Sequence, residues 1–166
     1  MFTTPTYLLI VIQRLLLCLA FIGGTLAPAN AFIKQDLAFQ HINHFQGLSN
    51  NTIECIFQDS KGFMWFGTRD GLNRYDGYEV ISYRTITGNN SSLSDNYVTC
   101  IYEDRQGGLW IGTLNGLNYY DRSKNHFKRY KHKANDPSSI SCNRISALAE
   151  VGNELRIGTD GGGLNR

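Results

Sequence analysis

The sequence predicts an all-β protein made of repeated four-stranded antiparallel units, the blades of an incomplete β-propeller. Two observations support this. The 166-residue chain is rich in aromatic residues (Tyr 9, Phe 9, Trp 2) and in glycine (17), which favour strands and tight turns. The chain also repeats itself at an offset of 45 residues. A period near 45 is typical of propeller blades, although helical pairs of the armadillo type share it.

The first 31 residues are predicted to be a secretory signal peptide. Arg14 is the only charged residue before position 34, and residues 15–27 form an apolar core. Ala29-Asn30-Ala31 then places small residues at the two positions that a signal peptidase requires. We therefore expect cleavage after Ala31 and export of a chain that begins at Phe32. An uncleaved signal anchor is the alternative.

The repeat is strongest between residues 48–76 and residues 93–121, where 15 of 29 aligned positions are identical. A third copy follows, in which residues 155–159 repeat residues 109–113 with Arg156 in place of tryptophan. This divides residues 32–166 into blades at 48–92 and 93–139 and a truncated blade at 140–166. The positions that define the repeat are Asp59 and Asp104, Trp65 and Trp110, Gly67, Gly112 and Gly158, and Gly71, Gly116 and Gly163.

Strand patterns decide between blades and helical pairs. Ile53, Cys55 and Phe57 alternate with a period of two, and the pattern recurs 45 residues later. Asp70-Gly71 and Asn115-Gly116 are hairpin signals. The predicted strands are residues 52–58, 63–67, 72–75 and 78–83 in the first blade and residues 97–103, 108–112, 117–120 and 126–130 in the second.

Residues 39–45 are predicted to form a fourth strand that has no blade of its own. They precede the Leu48-Ser49 element just as the fourth strand of each blade precedes the same element in the next copy. A strand of this kind can close a propeller by pairing with the last blade, which removes exposed sheet edges.

The shared motifs, Leu-Ser-x-Asn, Asp-x-x-Gly-x-x-Trp-x-Gly-Thr and Asp/Asn-Gly-Leu-Asn-x-Tyr-Asp, resemble the two-component regulator propeller repeat. The resemblance extends from about residue 39 to residue 166. It implies a periplasmic sensor propeller in a dimeric parent protein anchored in the inner membrane. It also implies an output module beyond this segment, such as a histidine kinase, a diguanylate cyclase or a DNA-binding domain. A propeller enzyme such as a lyase and an exported protein-interaction scaffold are the alternatives.

The repeated residues are expected to be structural. Trp65 and Trp110 could stack on sugars, but their recurrence favours packing between blades. Cys55 and Cys100 are expected to be small buried side chains near the ring axis. Equivalent positions of adjacent blades should lie beyond the Cα separation of about 7 Å that a disulfide spans. The repeated aspartates are expected to hydrogen-bond the backbone of their turns.

The sequence assigns no catalytic residue, metal site or cofactor to this segment. His41 and His44 are three residues apart, so on a strand they face opposite sides and cannot share an ion. The net charge of +2 does not favour nucleic acid as a partner. We expect an extracellular ligand, with a carbohydrate as one candidate, bound by loops at one rim of the ring.

Overall fold

The computed structural model describes residues 38–166, and the predicted signal peptide with its cleavage site at Ala31 lies outside them. Residues 40–166 form one structural unit. No helix in the described part is long and apolar enough to cross a membrane.

Three antiparallel sheets follow one another along the described chain, which confirms the prediction of all-β propeller blades. Strand order within each of the first two sheets is the sequence order, so each is a simple meander. The first sheet comprises β1 (Ile53–Gln58), β2 (Met64–Thr68), β3 (Gly71–Tyr75) and β4 (Val80–Tyr83). The second comprises β5 (Val98–Glu103), β6 (Leu109–Thr113), β7 (Gly116–Asp121) and β8 (His126–Tyr130). The third comprises β9 (Ile145–Val151), β10 (Glu154–Thr159) and β11 (Gly163–Asn165).

The fourth strand of the first blade is shorter than its pattern suggested. Backbone N–H groups of Tyr78 and Glu79 donate to the Asp76 carboxylate at 2.8 and 2.9 Å, which makes a turn there. Tyr78 is 97% exposed, and the strand starts only at Val80. The local hydrogen bonds of the aspartate therefore override the strand preference of the tyrosine.

The strand expected over residues 39–45 does not form in this chain. Residues 40–43 have no regular secondary structure, and His44–Gln46 form a 3-10 turn. The Asn43 side chain accepts from Phe45 N, and the Gln46 side chain accepts from Asn43 N. These two hydrogen bonds form a capping box at the start of the turn. A strand needs a neighbour to satisfy its backbone groups, and in the described chain no strand pairs with this segment.

Adjacent blades pack face to face through their inner strands. Trp65 and Leu72 of the first blade share one core cluster with Leu93, Val98 and other residues of the second, and all four are fully buried. A second cluster joins the second and third blades in the same way. In all three sheets the pairing between the first and second strands shifts once, at a β-bulge near the start of the first strand.

Candidate functional site at the connection rim

At one end of each sheet lie the turn between the second and third strands and the loops that lead from one blade to the next. Each blade begins and ends at this end because its four strands alternate in direction. We call this end the connection rim. It comprises the turns at residues 68–71, 113–116 and 159–163 and the linking loops at residues 84–97 and 131–144.

A hydrogen-bonded triad of serine, threonine and asparagine supports the rim. In the first blade the Ser49 Oγ lies 2.9 Å from the Thr68 Oγ1, and the Asn73 amide donates to Ser49 Oγ at 2.8 Å. The backbone N–H of Ser49 donates to the Asn73 side chain in return. The same bonds join the equivalent residues of the other two blades, which are Ser94, Thr113 and Asn118 and then Ser141, Thr159 and Asn165.

These serines, threonines and asparagines recur in the motifs of the repeat, but their spacing alone assigns them no role. Asn73 and Asn118 are fully buried, and each amide also donates to a backbone carbonyl on the second strand of its blade. Buried polar groups that are fully paired in this way fix a single local geometry. The repetition of all three residue types at constant spacing was the signal that could have revealed the network.

A second repeated asparagine links each blade to the next. The Asn96 side chain accepts from Thr85 N and its carbonyl accepts from Gly71 N, each at 2.7 Å. Asn143 makes the equivalent bonds to His132 N and Gly116 N. The rim of one blade is therefore positioned by the linking loop that follows it.

On this repeated scaffold, three sets of structurally equivalent positions carry different residues. Packing accounts for what is the same in every blade, so the positions that differ are where a binding surface can be built. The three sets are Arg69, Leu114 and Asp160; Glu54, Thr99 and Ser146; and Thr52, Tyr97 and Arg144.

Glu54, Arg69 and Tyr97 form a cluster at the junction of the first two blades. The Arg69 Nε donates to Glu54 Oε1 at 2.6 Å, and the Tyr97 hydroxyl donates to the same oxygen at 2.8 Å. The Arg69 guanidinium lies 5.7 Å from the centre of the Tyr97 ring. The hydrogen bonds from Arg69 and then from Tyr97 hold the pKa of Glu54 below its usual value, so this carboxylate is ionised at neutral pH.

The third blade carries a different pair at the same end of its sheet. The Arg144 guanidinium lies 2.8 Å from the Asp160 carboxylate, and the side chains are 59% and 61% exposed. The Cys142 thiol donates to the Asp160 carbonyl at 3.3 Å. Together, this pair and the cluster at the first junction present an aromatic ring, two guanidinium groups and two carboxylates, a set that can donate to and accept from a polar ligand.

The opposite rim is occupied by structural contacts. The Asp59 carboxylate accepts from the backbone of Lys61 and Phe63 and from the Trp65 indole, the last at 2.8 Å. Arg122 of the second blade donates to the same carboxylate at 2.8 Å. Burial alone raises the pKa of Asp59, but the Trp65 and Arg122 hydrogen bonds outweigh it, and the net pKa lies below its usual value.

The second blade repeats part of this arrangement. Asp104 accepts from the backbone of its turn and from the Trp110 indole at 2.8 Å. Trp65 is fully buried between blades, with its ring 5.4 Å from that of Tyr120. Trp110 packs against the cluster of Leu117, Ile145 and Ile157 that joins the second and third blades.

Cys55 and Cys100 are free thiols that are partly buried, each opposite the glycine of the second strand. Burial raises the pKa of Cys55 to about 12 and also raises that of Cys100. Neither thiol is therefore a nucleophile at neutral pH. Among residues 38–166, no group of three or more His, Cys, Asp or Glu side chains is arranged to hold a metal ion.

Comparison with known proteins agrees with this architecture. The family described as two component regulator propeller matches residues 47–70 and 92–115. A 57-residue stretch is 38% identical to histidine kinase P4 of Formosa agariphila. The matched stretch makes up 34% of this chain and 4% of the kinase.

Two extracellular domains from B. thetaiotaomicron have similar structures, and both are described as parts of hybrid two component systems. The domain of BT3049 is 30% identical over 76% of this chain with a TM-score of 0.67, and the domain of BT4673 is 32% identical over 77% with a TM-score of 0.63. The chain spans 20% and 18% of these domains.

Proposed function

Because the chain carries two component regulator propeller repeats, we propose that it is part of the extracytoplasmic, ligand-sensing region of a signal-transduction receptor. The supporting comparisons are with extracellular domains and a histidine kinase. In this proposal the segment is exported to the periplasm and is itself non-catalytic, and the receptor is a dimer held in the inner membrane with its output module in the remainder of the protein.

The observation that carries the proposal is the contrast between blades at the connection rim. The Ser-Thr-Asn triad is identical in three blades, whereas the neighbouring exposed positions are Arg69, Leu114 and Asp160. A scaffold needs only the identical residues. Different side chains at equivalent, solvent-facing places are what recognition of an asymmetric ligand requires.

The groups at the rim suit a polar ligand with several hydroxyl groups, such as a carbohydrate. The Tyr97 ring offers an apolar face, while Arg69 and Glu54 offer a donor and an acceptor beside it. Because the two charged groups already hold each other in place, little side-chain entropy is lost when a ligand binds.

The test uses the full-length protein and a panel of oligosaccharides screened by thermal shift. For any sugar that binds, Tyr97→Ala should weaken binding at least tenfold, whereas Tyr97→Phe keeps the ring and should weaken it less. Lys61→Ala, on an exposed turn of the opposite rim, is the matched control and should bind normally. Equal binding by the Tyr97 variants and the wild type would place the ligand elsewhere and refute the assignment of this rim.

The sequence downstream of Arg166 tests the receptor itself. A membrane helix followed by kinase, cyclase or DNA-binding motifs is the expected finding. A chain that completes a ring and then stops would favour an exported enzyme or scaffold instead.

A further inference from the structure

A strongly cationic segment runs along the outer edge of the second blade. Four of the six lysines in the whole sequence lie within residues 124–133, on and beside β8. A groove of about 670 Å³ follows this edge, lined by five cationic residues against a single carboxylate, although the whole chain has a net charge of only +2. The charged residues of the lining are Lys124, Lys128, Arg129, Lys131, Lys133 and Asp121.

The far wall of the groove is fixed by hydrogen bonds. The Arg129 guanidinium donates to the carbonyls of Asn89, Ser92 and Leu93 at 2.7 to 2.8 Å. The backbone N–H of Phe127 donates to the Ser91 carbonyl at 2.8 Å. The linking loop is thereby held against β8, and the groove exists before any ligand arrives.

Two of the lysines have no acidic partner in the described chain. Lys124 lies 3.4 Å from Asp121, and Lys133 lies 3.7 Å from Asp136. Within residues 38–166, no carboxylate lies within 4.0 Å of Lys128 or Lys131. Unpaired charges of one sign that line a concave surface attract a ligand of the opposite sign.

We propose that this groove, which we call the lysine groove, binds a stretch of an acidic polysaccharide that carries carboxylate or sulfate groups. Lys128 and Arg129 lie on β8, Lys124 precedes it, and Lys131 and Lys133 follow it. Charges spread along one segment in this way suit a linear polyanion better than a single small anion. The groove is concave, which suits a single polymer chain better than a flat membrane surface. This site is separate from the connection rim and does not depend on the ligand bound there.

Lysines on edge strands also prevent sheets from pairing with one another, and that role alone would explain their presence. The two explanations differ in what the lysines should bind. Edge protection requires no ligand and no groove, whereas the polysaccharide site requires measurable affinity for a soluble polyanion.

The experiment uses the full-length protein and measures binding of polygalacturonate and dextran sulfate by affinity electrophoresis, with neutral dextran for comparison. The variant Lys128→Gln/Lys131→Gln should weaken polyanion binding about tenfold. It should also make the negative slope of log affinity against log salt concentration less steep, by roughly 1 to 2. The control Lys61→Gln/Arg105→Gln removes the same charge from exposed turns and should bind as the wild type does.

Several results would overturn the proposal. Equal weakening in the control variant would mean that only net charge matters. Unchanged binding in the groove variant would place the polyanion elsewhere. Stronger binding to phosphatidylglycerol vesicles than to either polysaccharide would assign the surface to a membrane. Failure of the wild type to bind any polyanion, together with aggregation of the groove variant, would leave edge protection as the role of the lysines.

Discussion

Substitution of Gly112 by alanine tests how closely the blades approach. Gly112 lies opposite Cys100 in β5, and a Cβ atom built on it would lie 2.5 Å from the Cys100 Sγ and 2.8 Å from the Ile145 Cγ2 of the third blade. Both distances are far below an ordinary carbon contact. Because Ile145 is 1% exposed and packed in the core, it cannot move aside freely.

The first blade supplies a parallel case. Gly67 is the equivalent glycine, and a Cβ atom built on it would collide with the Cys55 Sγ and lie 2.6 Å from the Val98 Cγ1 of the second blade. Overpacking a core typically costs about 1–3 kcal/mol, which we expect for both Gly112→Ala and Gly67→Ala. For the control Lys61→Ala, on an exposed turn, we expect a change of less than about 0.5 kcal/mol.

The measurement is hydrogen–deuterium exchange of the full-length protein, read by mass spectrometry on peptides from β5, β6 and β9. Faster exchange in these strands reports a lower opening free energy at the blade junction. The double variant Cys100→Ala/Gly112→Ala removes the contact with sulfur but keeps the contact with Ile145, so it should recover only part of the loss. The reasoning fails if the Lys61 variant loses as much as the Gly112 variant, or if the Gly112 variant exchanges like the wild type.

Three further predictions concern export, the thiols and ring closure. N-terminal sequencing of the exported product should start at Phe32, and a product that still begins at residue 1 would identify an uncleaved anchor. Cys55 should react with a bulky maleimide more slowly than Cys142 in the native protein, because its side chain is partly buried and its raised pKa keeps the thiol neutral. Fast labelling of Cys55 at pH 7 would contradict its burial. Residues 32–166 expressed alone should unfold without a cooperative transition, because each blade is stabilised by interfaces with its neighbours, and a sharp two-state melt of this monomer would refute that dependence.

The structure contains an equivalence that bears on the predicted closing strand. The backbone N–H of His44 donates to the Asn51 side chain at 2.9 Å, as Thr85 and His132 donate to the equivalent asparagines of the later blades. Thr85 and His132 each come two residues after a fourth strand. The residues just before Asn43 therefore occupy the place of a fourth strand, and we propose that residues 39–42 become one when a last blade is beside them.

The sequence by itself determined the number and order of the blades within residues 38–166. Repeated turn residues and two-residue alternation are local signals, and they place most strand ends within a residue of their observed positions. The position of β8 was predicted without error. The first strand of each of the first two blades was also recognisable, since Cys55 and Cys100 mark its centre.

Only the tertiary structure decided which residues meet across blades. Arg122 donates to Asp59 of the preceding blade, 63 positions away. The repeat does not predict this contact, because the equivalent position of the first blade is Gly77. The same holds for the contact between Glu54 and Tyr97, 43 positions apart. A local pattern specifies a strand through its own backbone, whereas a contact between blades depends on how two finished sheets stack. For the same reason residues 39–45 have strand-like composition but no strand, because a strand exists only where another chain segment completes its hydrogen bonds.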